Sequence, residues 1–180
     1  FRTAQRIEEE LDRLGIPHTR VGETGVLGTL RGEKEGGGAV VLRADIDALP
    51  IEETHECAYR SQNPGVMHAC GHDFHAAMLL TAAKMLKENE AELKGTVKFM
   101  FQPAEETGAG AAPCCELFDK EEIEEIYGAH NLPGFAFGEL YTKEGTFACG
   151  SEGLTLRFIG KPTHAAYPEL GISPAPAVGQ

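Results

Sequence analysis

No apolar run in these 180 residues approaches the ~18 needed to cross a bilayer, which excludes a membrane-spanning helix. Positive charge is scarce: 16 Lys and Arg stand against 28 Asp and Glu, for a formal net charge of −12 and a pI near 5.0. Such a chain repels phosphate backbones and anionic lipid, so neither nucleic acid nor a membrane is expected as a partner. A basic-then-apolar start of the signal-peptide kind is missing too. The five cysteines (Cys57, Cys70, Cys114, Cys115 and Cys149) are odd in number and lack a regular framework spacing. Without an export signal they read as reduced thiols, and the expected compartment is cytoplasmic. Adjacent Cys114 and Cys115 are too cramped for an ordinary bridge and suit small buried positions. Internal repeats and low-complexity tracts are also missing.

What remains is ordinary globular composition, 42% hydrophobic and 24% charged, outside the disordered range. The length allows one sizeable core plus a small remainder, with enough burial to fold unaided. Residues 3–14 place Ile7, Leu11 and Leu14 on one helical face, and Gly15 stops the helix. Residues 26–30 suggest a short strand. Residues 31–38 are expected to turn, because three successive glycines hold no element together. Residues 39–43 suggest a buried strand. Residues 74–89, rich in Ala, Leu and Met, predict a helix. Residues 96–102 alternate through Val97, Phe99 and Phe101 and meet Pro103, a strand and its stop. A helix is expected over 110–118 despite Pro113, and a strand over 122–128. Further strands are expected at 138–142, 146–149 and 154–160. Strand, helix, strand, helix, strand is the order of an α/β sheet.

Three of these strands end in polar residues. The first delivers Asp45 and Asp47, the second Glu105 and Glu106, the third His130. Between the first two, His68-Ala-Cys70-Gly-His72-Asp73-Phe-His75 opens the long helix. Ligands of open α/β sheets sit beyond the carboxyl ends of strands, so these segments are expected to converge on one rim. Thiolate, imidazole and carboxylate together suit zinc or a neighbouring divalent ion. The long intervals separating Cys70 and His72 from Glu106 and His130 exclude a zinc-finger knuckle and favour a site assembled by tertiary structure. Glu105-Glu106 follows a Phe-rich strand and precedes small residues, unlike Glu121-Glu122 and Glu124-Glu125, which suit a solvated surface. His18 and His55 stand in ordinary loop contexts.

Five blocks carry a resemblance. They are Leu42-Arg-Ala-Asp-Ile-Asp-Ala-Leu-Pro-Ile51, Met67-His-Ala-Cys-Gly-His-Asp-Phe-His-Ala76, Phe101-Gln-Pro-Ala-Glu-Glu106, Gly128-Ala-His130 and Gly160-Lys-Pro-Thr-His-Ala-Ala-Tyr-Pro168. In this order they resemble the dinuclear metal-dependent amidohydrolases and carboxypeptidases, a family of aminoacylases, hippurate hydrolases and indole-acetyl-amino-acid hydrolases. The resemblance implies a mixed, mostly parallel sheet flanked by helices, a zinc-exopeptidase-like catalytic domain over residues 1–150. Residues 151–180 would begin a small α+β lid and dimerisation domain. Family members are longer, with a last metal-binding histidine after the lid, so the chain is expected to be an internal portion of such an enzyme.

Carried over position by position, the resemblance implies that Cys70, His72, Glu106 and His130 hold two divalent ions (zinc, manganese, nickel or cobalt). Glu105 would be the general base, and Asp47 would support the site from behind. His164 would steady the reacting carbonyl, in many members across a homodimer. The implied substrates are N-acyl amino acids or small peptides. Two other classes stay open. A non-catalytic metal-binding or interaction module would make Glu105 dispensable. A redox thiol at Cys70 would react with thiol reagents without protection by metal.

Overall fold

A computed structural model describes residues 1–150 and 153–179, in two units, Phe1–Gly134 and Phe135–Gln180. The first unit carries the sheet. Its strands are β1 (His18–Val21), β2 (Gly25–Arg31), β3 (Lys34–Asp45), β4 (Lys94–Gln102) and β5 (Ile123–Gly128), in spatial order β1-β2-β4-β3-β5. β2 is antiparallel to both its neighbours, whereas β3 is parallel to β4 and to β5. Four strands therefore share one direction. This is the mixed, mostly parallel sheet expected.

Two helices cover one face. Helix α1 (Arg2–Leu14) buries Ala4, Ile7 and Leu11, and Gly15 ends it in the left-handed region at φ 67°. Helix α2 (His72–Glu88) buries Ala76, Leu79 and Ala83. Both pack on Val26, Leu30, Ala44, Phe99 and Phe101, the inward residues of β2, β3 and β4. Gly28 sits beneath α1, where a Cβ would lie 3.3 Å from Leu11 Cδ1. The other face carries Leu27, Val41 and Met100, packed on Cys114 and Leu117. Lys98 is buried there too, and its Nζ donates to Glu121 at 2.5 Å. Glu121 thus serves as the partner of a buried cation as well as a surface acid.

Several expectations need correction. The glycine run at 36–38 lies within β3, because glycine tolerates positive φ (86° at Gly36, 81° at Gly37) and close approach across a register shift between Lys34 and Ala39. A Cβ on Gly38 would lie 2.2 Å from the Glu124 carboxyl carbon. Helix α3 is shorter than expected, Ala111–Cys115. Pro113 is tolerated in a first turn but not within a longer helix. β1 was not expected at all; it is four residues with little apolar signal, held by pairing with β2.

In the second unit the described residues form only a 3-10 turn at Pro168–Leu170, the short helix α4 (Ala175–Val178) and an isolated bridge between Lys161 and Ile172. The strands expected at 138–142, 146–149 and 154–160 are not formed. Leu154, Leu156 and Phe158 alternate without a neighbouring strand and remain exposed, as does Ile159; alternation supplies a face, but a ladder also needs a partner. The expected domain start near Ser151 lies outside the described residues.

Candidate metal centre

Register aligns the carboxyl ends of three parallel strands: Asp45 pairs with Gln102, and Arg43 with Gly128. The segments leaving these ends, with the start of α2, build the rim. Gly71 precedes α2 at φ 83°, and a Cβ there would collide with the Asn131 side chain at 2.4 Å. Glycine is therefore required for Cys70 and His72 to flank one point.

His72 is fully buried. Its Nδ1 lies 3.2 Å from Asp47 Oδ1, and the other Asp47 oxygen accepts the Glu106 backbone N–H at 3.1 Å. One carboxylate thus fixes both the imidazole and the loop bearing Glu105 and Glu106. With the proton on Nδ1, Nε2 presents a lone pair. It faces Asp45 Oδ1 at 3.7 Å, Glu106 Oε1 at 3.8 Å and Glu105 Oε2 at 3.9 Å. All are beyond hydrogen-bond reach, and Nε2 has no partner among the described residues. Cys70 Sγ lies 3.4 Å from His130 Nε2, and His130 Nδ1 donates to the Asn131 carbonyl at 2.7 Å.

One ligand atom each from Cys70, His72 and His130 lie within 4.8 Å of one another, and the same holds for His72, Glu105 and Glu106. The structure therefore brings together Cys70, His72, Glu105, Glu106, His130 and Asp47. His164 belongs to the second unit, where its Nδ1 accepts the Ala166 N–H at 3.2 Å.

The donor set fits a cation. A buried lone pair surrounded by carboxylates and sulfur is costly unless something positive sits among them. Burial, reinforced by Glu106, Glu105 and Asp45, pushes the Cys70 thiol above its ordinary range. A reactive redox thiol is favoured by electropositive surroundings, whereas those of Cys70 are acidic. All five cysteines are free.

Sequence reasoning gave His75 and Asn131 no role, and it cited Asp45 only as a strand-end acid. His75 and Asp45 are both buried and joined through Nδ1 and Oδ1 at 2.5 Å. Arg43 Nη1 holds the second Asp45 oxygen at 2.8 Å. Burial alone would raise the Asp45 carboxyl, but the His75 hydrogen bond and the Arg43 charge hold it below the usual range. Asp45, His72 and His75 also offer atoms within 4.8 Å of one another, yet both Asp45 oxygens are already taken. The available signal was spacing: His75 follows His72 by three residues on one helical face.

The family described as peptidase family M20/M25/M40 matches residues 41–169. N-acetyl-L-cysteine deacetylase of Bacillus subtilis is 45% identical over 175 residues, covering 97% of this chain and 42% of that protein. IAA-amino acid hydrolase ILR1-like 5 of Arabidopsis thaliana is 44% identical over 176 residues, covering 96% and 39%. Among solved structures, the Bacillus subtilis YXEP protein, described as a dinuclear metal binding peptidase, is 43% identical with a TM-score of 0.70. That likeness covers 74% of this chain and 37% of the other. The chain thus spans about two-fifths of the length of these curated relatives.

Proposed function

Because this chain belongs to the peptidase family M20/M25/M40, we propose that the protein it represents hydrolyses the amide bond of N-acyl amino acids or small peptides. The observation that carries this reading is the buried, unpartnered His72 Nε2 facing three carboxylates, with Cys70 and His130 grouped around the same imidazole. Cys70, His72, Glu106 and His130 would hold two divalent ions. Bound there, the ions would supply the positive charge that lowers the pKa of a water towards about 7 and polarises a carbonyl.

Glu105 accepts a proton from the attacking water as its oxygen bonds to the carbonyl carbon. It then returns that proton to the amine nitrogen as the C–N bond breaks. Glu105 and Glu106 stand almost equally far from His72 Nε2, so the division of roles follows the family pattern. Asp47 keeps His72 and the glutamate loop in register with each other. His164, in a lid and dimerisation domain starting near residue 151, steadies the carbonyl oxygen. The working form is a cytoplasmic homodimer.

The test uses the full-length protein. Elemental analysis should find two ions per chain, and free amino acid should be released from N-acyl amino acids in a chelator-sensitive way. Glu105→Gln should keep its metal while turnover falls about 10²–10⁴-fold. Near-normal turnover would remove Glu105 from the base role.

A further inference from the structure

We propose that His75 is a positioning residue that sets the tautomer and aim of His130 by latching the Asn131 backbone. The proposal rests on His130 being a metal ligand, as argued above. The chain of contacts starts at Arg43, whose Nε donates to Gln102 Oε1 at 3.0 Å and whose Nη1 donates to Asp45 Oδ2 at 2.8 Å. Held in this way, Asp45 accepts from His75 Nδ1. The proton on Nδ1 leaves Nε2 as an acceptor. The Asn131 backbone N–H donates to that nitrogen at 3.0 Å. The end of the Asn131 side-chain amide placed 2.5 Å from it is Oδ1, an acceptor, so with Nε2 unprotonated the amide is turned to offer its NH2 there instead. The Asn131 carbonyl in turn accepts from His130 Nδ1. That last bond turns the His130 Nε2 lone pair towards Cys70 Sγ. The two rings also pack edge to face, with centroids 4.5 Å apart at 72°.

The latch matters because the segment after β5 has little else to hold it. Residues 129–134 are exposed, and no backbone–backbone hydrogen bond ties them down among the described residues. Among the described residues, apart from the Cys70 contact, the hydrogen bonds that join this segment to another element are all made with His75. A metal-ligating imidazole depends on the partner of its other nitrogen. Here that partner is a loop carbonyl, and the loop is held from α2.

Two substitutions of His75 in the full-length protein separate the halves of the imidazole. His75→Asn keeps a donor for Asp45 but is too short to reach Asn131, whereas His75→Gln can extend an acceptor to the Asn131 N–H. Metal-free protein is titrated with Co²⁺ against a competing chelator, following the thiolate-to-cobalt absorption band. The His130 tautomer is read in the metal-free state from imidazole ¹⁵N shifts. His75→Asn should weaken Co²⁺ binding about 10–100-fold and mix the His130 tautomers, and His75→Gln should recover most of both. Equal behaviour of the two variants, or an unchanged His130 tautomer in His75→Asn, would overturn the latch. His130→Ala serves as the reference. If it binds Co²⁺ like the unsubstituted protein, the ligand assignment itself fails; if it loses binding while His75→Asn does not, only the latch fails.

Discussion

His72 and His75 lie less than one turn apart on α2, both buried, each with Nδ1 against an aspartate from the end of β3. Their second nitrogens differ. His75 Nε2 meets the Asn131 amide groups, whereas His72 Nε2 meets only acceptors it cannot bond. The same residue type on the same helix face is thus closed in one place and open in the other. A closed imidazole braces its surroundings; an open one in a ring of carboxylates and sulfur is a ligand awaiting a cation.

The largest effect should come from removing the open nitrogen. His72→Ala should lower the metal content of the full-length protein below two ions per chain. It should also weaken binding by more than the ~100-fold that supporting partners command; unchanged stoichiometry by elemental analysis would break the contrast. Asp47→Asn should act less severely, because one amide end cannot accept from both His72 and the Glu106 N–H. Divalent metal affinity should drop about 10–100-fold with stoichiometry retained. Isothermal titration would check this, and a lost ion would make Asp47 itself a ligand.

The smallest effect belongs to an exposed pair, the opposite limit from the buried dyads. Arg20 binds Glu8 and ties β1 to α1. The hydrogen bond from Arg20 holds the Glu8 carboxyl below its ordinary value. A lowered folded-state pKa adds stability that is present above the unfolded value and lost as pH falls through the folded one. Solvent screening keeps the contribution below about 1 kcal/mol. Urea melts between pH 6 and pH 3 should therefore show Glu8→Gln less stable near neutrality, converging with the unsubstituted protein in acid. A gap that persists at pH 3 would assign the effect to packing.

The helices and central strands were legible because their signals are local. Ile7 and Leu11 share a helical face, and Val97, Phe99 and Phe101 alternate before a proline. The same alternation at Leu154, Leu156 and Phe158 misled, since nothing local says whether a strand will find a neighbour. The glycine run misled in the other direction. Its residues lack the side chains that normally announce a strand, and they are carried into one as the irregular stretch between Lys34 and Ala39, which do pair with β4.

By itself the sequence determined the alternation of strands and helix, the supply of Cys70, His72, Glu105, Glu106 and His130 at element ends, and the motifs shared with a metallohydrolase family. Tertiary structure alone decided which nitrogen is satisfied and which is left open. That choice depends on partners 25 residues away for His72 and Asp47, 30 for His75 and Asp45, and 56 for His75 and Asn131. Periodicity reports the face a side chain occupies; only the folded sheet, bringing three strand ends level, determines what waits for it there.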